Sequence, residues 1–485
     1  MLLGVLLLSY SLENFKSFGS RQKIPLKPIT LIYGANSSGK SSVIHGYLFI
    51  RELLKIGKCD LSSFTIGGEL LDLGGYKQYL HKKEYRNRNL FIEVELKKYK
   101  LILEITADGL DKKELKSSAY LFSLTIFNYD ENSEFKFTRN KSTKEFLFEH
   151  YNKEPAEHTF TLDLEKPIQN QIPQVEGYYE YIVISYSLEE VINEINSNYE
   201  KIIYLGPIRS YPTRDISLTS ELSKDMDYNA WKIVKDDIKV RDKVNKWFAK
   251  LKTPYELSVK KFIESKDYLK NVYEIFSLEK FDEFNFTFIE NDALVKEDFD
   301  SEEKFKLYIL EKMYEHSDEI DNHIINNSFE KVLEELVIKD LRTDTTVSHR
   351  DIGVGISQVL PVLVSAYASK NAVIAIEQPE LHLHPALQSE IADVFIETAK
   401  ENKNTYLIET HSEHLLLRIM RRIRENNISP DDISLLFVNV DDEQKSSYVQ
   451  PLRISGTGKL LDHWPDGFFE EGFRERGFNN EQKFI

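Results

Sequence analysis

The residues Gly34-Ala35-Asn36-Ser37-Ser38-Gly39-Lys40-Ser41, followed by Ser42, fit the spacing GxxxxGK[ST]. Each position has a chemical reason. Glycines at both ends let the backbone wrap an anion without a Cβ in the way. The N–H groups of such a loop, and of a helix that starts at its end, offer positive partial charge to a phosphate. Lys40 can reach β- and γ-phosphate oxygens, and the Ser41 hydroxyl can ligate Mg²⁺. The chemistry implied is the binding of β- and γ-phosphates together with a magnesium ion.

A loop of this kind needs a carboxylate at the end of a nearby strand to hold the metal. The run Ala372-Val-Ile-Ala-Ile376-Glu377 supplies one, 337 positions after Lys40. It continues as Gln378-Pro-Glu380-Leu-His382-Leu-His384-Pro, and Ile408-Glu-Thr-His411-Ser then puts a histidine at another strand end. Between them, Asp351-Ile-Gly-Val-Gly355-Ile-Ser357-Gln358 opens a helix. Ser357 and Gln358 are candidate donors to an anion at that second helix start.

The elements that must position these groups can be read from hydropathy. Ile24–Leu26 and Ile29–Tyr33 are short apolar runs that suit buried strands, and the spacing predicts a helix from Lys40 through about Leu54. The runs starting at Leu90, Leu101, Tyr120 and His158 alternate with period two between polar turns, which predicts an antiparallel meander over residues 90–165. From Val354 an α/β pattern returns. A buried helix (Val359–Ala368) leads to the apolar strand at Ala372, then come a helix from Pro385 to Lys400, a strand at Thr405, a helix from His414 to Asn426 and a strand from Ile433.

Composition narrows the classes. The chain has 485 residues, 29% charged and 12% aromatic, as in a globular protein with room for a sizeable core. Cys59 is the single cysteine, which excludes a disulfide framework or a cysteine zinc site and suits a reducing cytoplasm. Histidines 382, 384, 411 and 414 have spacings too loose for a zinc cluster. A net charge of −16 argues against a surface that coats nucleic acid, though a local basic groove stays open. The apolar start Met1–Leu8 lacks a positive n-region and falls well short of the roughly 20 residues that cross a bilayer. It reads as a buried first strand, with no membrane partner.

Residues 216–335 read as mainly helical and polar. Trp231–Lys270 carries 12 basic and 6 acidic residues, and Asn271–Glu330 carries 5 and 17. Two solvated faces explain this; a basic contact surface for DNA beside an acidic lobe for a partner is the sharper alternative. Arg209 and Arg214 could act on phosphates or form structural ion pairs, and Arg418, Arg421, Arg422 and Arg424 could complement a helix C-terminus or face DNA.

Together these pieces resemble the ABC-class ATPase heads of the SMC, RecF and OLD (overcoming lysogenization defect) proteins. Leu12-Glu-Asn-Phe-Lys-Ser-Phe18 is similar to the segment that precedes the phosphate loop there. Gly355-Ile-Ser-Gln358 looks like a divergent ABC signature, Glu377–Pro385 like the Walker B and D-loop run, and Thr410-His411-Ser412 like the switch. The likeness covers about residues 1–80 and 345–415. More narrowly, Leu205-Gly-Pro-Ile-Arg209, the Glu-Gln-Pro-Glu form and Trp464-Pro-Asp-Gly-Phe-Phe469 resemble bacterial AAA-type ATPases with a C-terminal domain of unknown function. That group includes ATPase subunits of Septu- or PARIS-type anti-phage defence systems.

The resemblance implies an α/β fold: an ABC-type head of a P-loop sheet plus an antiparallel β-meander, a mainly helical insertion and a small C-terminal α/β extension. The expected boundaries are 1–215 and 336–425 for the two lobes, 216–335 for the insertion and 426–485 for the C-terminal domain. It implies a homodimer or higher oligomer with ATP sandwiched between two heads, Ser357 and Gln358 touching the partner's γ-phosphate, and His411 orienting water or phosphate. It also implies a separately encoded effector such as a nuclease, and a DNA or phage-derived trigger; the alternatives are a nucleotide-gated scaffold with negligible hydrolysis and a RecF-like DNA repair or maintenance ATPase. The expected Mg²⁺ ligands are Ser41 and Glu377. Gln78 stands where a further one would be, although turn chemistry explains Asp72–Gln78 equally well. One departure matters: Gln378 replaces the usual glutamate, and an amide cannot accept the proton of an attacking water. Glu380 or His411 could take that role, and slow hydrolysis is expected.

Overall fold

Alternation of apolar and polar residues can bury only one face of a strand, and the computed structural model of the protein has that pattern from Leu90 onward. The structure describes residues 7–56, 73–84, 88–107, 119–139, 146–150, 158–160, 191, 201–209, 226–251, 253–262, 304, 333–347, 352, 354–465 and 469. Two compact units divide the chain. One holds Met1–Tyr211, Ser223–Ala230 and Gly353–Ile485; the other holds Pro212–Leu222 and Trp231–Ile352.

In the first unit, β1 (Ser9–Glu13), β2 (Gln22–Pro25), β4 (Leu90–Glu95), β5 (Tyr99–Ala107), β6 (Ala119–Asn128), β7 (Ser133–Arg139), β8 (Phe146–His150) and β9 (His158–Phe160) form one antiparallel sheet. Its order is β2-β1-β4-β5-β6-β7-β8-β9. Along β4 and β5 every second residue is buried, among them Leu90, Ile92, Val94, Leu101, Leu103 and Ile105. This is the expected meander, extended by β7 and β8, whose shorter apolar runs were not singled out in the sequence. Among the described residues the first strand is Ser9–Glu13, and β1 and β2 join the meander. Residues 1–6 of that run lie outside the described residues.

The second sheet is built from β3 (Ile29–Gly34), β10 (Lys201–Leu205), β14 (Ala372–Glu377), β15 (Thr405–Glu409), β16 (Ile433–Asp441) and β17 (Ser446–Leu452), in the order β10-β14-β15-β3-β16-β17. All pairs are parallel except β16–β17. β3, β14 and β15 are buried at every residue, as apolar runs covered on both faces must be. The helices of this unit are α1 (Lys40–Ile56), the single turn α2 (Tyr76–Tyr79), α5 (Val354–Ala368), α6 (Pro385–Glu401) and α7 (Glu413–Arg424). β16 and β17, which fall within the expected C-terminal segment 426–485, join this sheet, and β16 lies directly beside β3. The class is α/β with mixed sheets.

The second unit takes in α3 (Met226–Asp236) from Trp231 on, α4 (Ile238–Lys250) and an antiparallel sheet of β11 (Tyr255–Phe262), β12 (Leu333–Asp340) and β13 (Thr345–Val347). The Asp237 carboxylate caps α4 by accepting from the N–H groups of Lys239 and Val240. Asn245 then fixes helix to strand, its amide bonding both the N–H and the C=O of Leu257 at 2.9 Å. The sequence reading foresaw helices here but not this sheet, because Glu256–Lys261 and Glu334–Lys339 mix charges into both strands. Most of the acidic stretch Asn271–Glu330 lies outside the described residues. Among the described residues no helix is long and apolar enough to cross a membrane.

Candidate functional site

The loop after β3 has the shape its glycines dictate. Gly39 sits at φ 98°, and a Cβ there would stand 2.2 Å from the Ser17 hydroxyl. A Cβ on Gly34 would stand 2.2 Å from the carbonyl oxygen of Val438 in β16. Neither position can carry a side chain without moving its neighbours. Ala35, Asn36 and Ser37 are exposed, while Ser38, Lys40 and Ser42 are buried. Lys40 Nζ donates to the carbonyl oxygens of Gly34 at 3.1 Å and Ala35 at 2.8 Å, so the ammonium lies folded over its own loop. Burial lowers its pKa, against the charges of Glu409, Glu380 and Glu377.

Those carboxylates come from strand ends. β14 and β15 are parallel neighbours in a register that sets Glu377 directly opposite Glu409. Adjacent strands lie about 4.8 Å apart, so two buried acids share one end of the sheet. On α1, Ser41 and His45 are four residues apart and therefore on one face. Ser41 Oγ donates to Glu409 Oε2 at 2.7 Å, and His45 Nε2 lies 3.2 Å from Glu377 Oε1. The Tyr204 hydroxyl at the end of β10 donates to the same Glu377 oxygen at 2.9 Å. Burial pushes Glu377 up, but the His45 and Tyr204 bonds and the Lys16 charge outweigh it and hold the carboxyl below its ordinary range. Burial pushes Glu409 up, the Ser41 bond opposes the rise, and the Glu377 charge adds to it.

The metal pair expected from sequence was Ser41 with Glu377. In the structure the Ser41 hydroxyl bonds Glu409, because β15 lies between β14 and β3 in the sheet. Glu409 is the residue that sequence reasoning missed. Its signal was present: it ends a fully apolar strand, the same feature that singled out Glu377.

The switch segment follows Glu409. The His411 N–H donates to Glu380 Oε1 at 2.7 Å. Burial raises the Glu380 pKa despite this bond. Burial, then the Lys40 charge, lowers the His411 pKa and favours a neutral ring. Ser412 caps α7 through the Leu415 N–H and donates to Gln388, and Tyr33 in β3 donates to the Ser412 carbonyl at 2.9 Å. Gln378 adopts φ 48°, and its N–H donates to the Glu409 carbonyl at 2.7 Å. The Glu377–Gln378 corner is thereby pinned to the strand that carries Glu409.

Ser357 and Gln358 lie at the start of α5. Gln358 is 5% exposed, and its amide pairs with the main chain of Arg209: Oε1 accepts from Arg209 N at 3.0 Å and Nε2 donates to Arg209 O at 2.8 Å. Arg209 is 1% exposed and donates to the carbonyls of Gln358 and Glu377. Ser357 is buried as well. Gln358 and Arg209 together tie the end of β10 to α5 and β14. Gln78 is exposed on α2, and among the described residues no bond of its side chain joins it to the phosphate loop. Arg214 lies outside the described residues. Arg418 and Arg422 are tied to Asp393, Arg418 also to Glu390, and Arg421 and Arg422 to Glu425. This leaves their charge matched by acids rather than by a helix end alone. No cluster of three metal-ligating side chains occurs among the described residues, and His384 instead caps α6 by accepting from the Ala386 N–H.

The donors present fit ATP with Mg²⁺. The Ser38 hydroxyl is buried in the loop without a hydrogen-bond partner. Ser41, Glu409 and Glu377 provide hard oxygens, and one or two carboxylates with phosphate oxygens are what Mg²⁺ takes.

Comparison with known proteins adds the following. A family model described as AAA ATPase domain matches residues 7–416. A second, described as a protein of unknown function (DUF3696), matches residues 428–475. No curated protein matches the chain. Among solved structures it is similar to the SmcHead bound to the C-winged helix domain of ScpA, with 12% identity over 93% of this chain and 98% of that one and a TM-score of 0.37. It is also similar to the SMC head domain from Thermotoga maritima, with 10% identity, 93% and 100% coverage and a TM-score of 0.34. A third is the Smc head domain with an extended coiled coil bound to the C-terminal domain of ScpA derived from Pyrococcus furiosus, at 13% identity, 97% and 98% coverage and TM-score 0.34. The first family model runs from β1 through the phosphate loop, Glu377, Glu409 and His411, which is most of the chain, and this protein belongs to the AAA ATPase domain family.

Proposed function

We propose that this chain binds ATP with Mg²⁺ on Gly34–Ser42 and hydrolyses it slowly, in the manner of an ABC-type head. The observation that carries the reading is the convergence of Lys40, Ser41 and the strand-end pair Glu377 and Glu409 at one loop. Lys40 would leave its loop carbonyls for the β- and γ-phosphates. Ser41, Glu409 and Glu377 would hold Mg²⁺, which supplies neutralisation of the charge on the phosphate oxygens. Neutral His411, fixed through its N–H by Glu380, would orient the attacking water or the γ-phosphate. Gln378 can place a water but cannot take its proton, and this favours slow turnover and a long-lived ATP state.

The likeness to ABC-class heads supports a further step, in which two copies close on two nucleotides. ATP occupancy and assembly would then be one equilibrium. In that assembly Ser357 and Gln358 would have to release Arg209 before reaching a partner's phosphate. A role in bacterial anti-phage defence, controlling a separately encoded effector, is the biological reading that the Trp464–Phe469 tail and the Glu-Gln-Pro-Glu form support. Gln378 favours a second reading, a nucleotide-gated scaffold with negligible hydrolysis. Steady-state ATP turnover and ATP binding of the full chain against Lys40→Ala decide between them. Turnover that vanishes in the variant supports the enzyme. ATP binding by the wild type alone, with turnover in neither, supports the scaffold. No ATP binding by the wild type refutes both.

A further inference from the structure

His45 has no assigned part in the site, yet it touches its central carboxylate. Its Nδ1 side is bonded to Lys16 Nζ, and its Nε2 side faces Glu377 Oε1 at 3.2 Å. The arrangement suits the Nε2–H tautomer. An ammonium at Lys16 donates to Nδ1, so the ring hydrogen sits on Nε2 and points at the carboxylate. The His45 side chain is 14% exposed and that of Glu377 9%, so the pair is largely withdrawn from solvent.

Lys16 is itself held. Its backbone adopts φ 47°, a left-handed conformation that costs a non-glycine residue about 1–2 kcal/mol. It is kept there by its own N–H donating to the Tyr79 carbonyl at 2.6 Å and by His81 Nδ1 on its carbonyl at 3.0 Å. Strain of this kind persists where the surroundings over-determine a position, and it gathers at functional sites.

Among the described residues the bonds to this carboxylate fall on Oε1. A carboxylate oxygen has two lone-pair sites. Both sites of Glu377 Oε1 are taken, one by His45 and one by Tyr204. We propose that Lys16, His45 and Tyr204 are positioning residues that lock Oε1 of Glu377 and so present Oε2 alone to the divalent cation. One turn ahead on α1, Ser41 bonds Glu409, so the two facing carboxylates are each held by one residue of the same helix face. Outer partners that orient a ligating carboxylate typically change metal affinity by about 10–100-fold when removed. This inference rests on the ATP·Mg²⁺ reading above.

The test measures ATP affinity of the full chain twice, once with Mg²⁺ and once with EDTA, and takes the ratio of the two affinities. In His45→Asn the ratio is expected to fall about tenfold, with the EDTA affinity unchanged. In His45→Gln the amide nitrogen can reach the place of Nε2, and the ratio is expected within about threefold of the wild type, since a retained donor keeps most of a bond's worth. A role in folding alone would lower both affinities together and gain nothing from glutamine. Tyr204→Phe removes the other donor and covers the case of an unfolded His45→Asn; its ratio is expected to fall as well. A wild-type ratio in whichever of His45→Asn and Tyr204→Phe folds overturns the proposal and leaves the ATP reading intact. Failure of the wild type to bind ATP at all overturns that reading, and the proposal with it.

Discussion

Removing the Gln358 side chain tests whether the signature glutamine is first of all a structural tie. Gln358→Ala deletes two bonds, at 3.0 and 2.8 Å, to the main chain of Arg209. The N–H and C=O of a residue that is 1% exposed lose their partners, and water reaches neither easily. Leaving a buried polar group unsatisfied costs about 1–3 kcal/mol. Two such groups, partly relieved by relaxation, put the expected loss at about 3 kcal/mol. With a urea dependence of about 3 kcal/mol/M for a unit of this size, the unfolding midpoint should fall by about 1 M. Circular dichroism of the full chain without nucleotide reads this directly. ATP affinity at protein concentrations too low for self-association should stay within about threefold, because no bond of Gln358 reaches the phosphate loop and distant sites act nearly additively. An unchanged midpoint would refute the tie. A normal midpoint with ATP affinity lost would show that Gln358 faces the nucleotide instead.

Three further outcomes follow from the site and its surroundings. Gln378→Glu restores a proton-accepting carboxylate beside Glu377 and should raise steady-state ATP turnover by about tenfold or more; an equal or lower rate in a folded variant counts against Gln378 as the brake. Glu409→Gln keeps the shape but removes the charge that receives the Ser41 hydroxyl. The Mg²⁺ concentration for half-maximal ATP binding should rise about tenfold, and an unchanged requirement would leave Glu377 as the sole carboxylate ligand. Asp393 is half-buried and bonded to Arg418 and Arg422; burial pushes its pKa up, but the arginines outweigh this and hold it below the ordinary range. A carboxyl whose pKa is lowered on folding binds fewer protons folded than unfolded, so its stabilisation is complete above about pH 4 and fades as pH falls through the lowered value. Asp393→Asn should therefore be about 2 kcal/mol less stable than wild type at pH 7. The gap should narrow in acid denaturation series below pH 4, and a gap independent of pH would refute the charge argument.

The sequence by itself determined the chemistry and the strands that carry it. Gly34–Ser42 could be assigned because a phosphate loop is local: its spacing, its glycines and the helix that follows are consecutive. Ala372–Glu377 and Thr405–Glu409 were legible as buried strands because apolar runs covered on both faces need no partner to be recognised. The meander was legible from its period of two. What the sequence could not give was adjacency. Which acid meets Ser41 depends on the order β14-β15-β3, a sheet-level fact that brings Glu409 to its hydroxyl. The same holds for Gln358, whose amide looks free in a helix-start motif and is taken up by a residue 149 positions earlier in the chain. It holds for Lys16 and His45, which are 29 positions apart and face a carboxylate more than 330 positions further on. It also holds for residues 433–452, which look like an appendage and are two strands of the main sheet. Local spacing fixes what each group can do, and only the pairing of distant strands decides which groups meet.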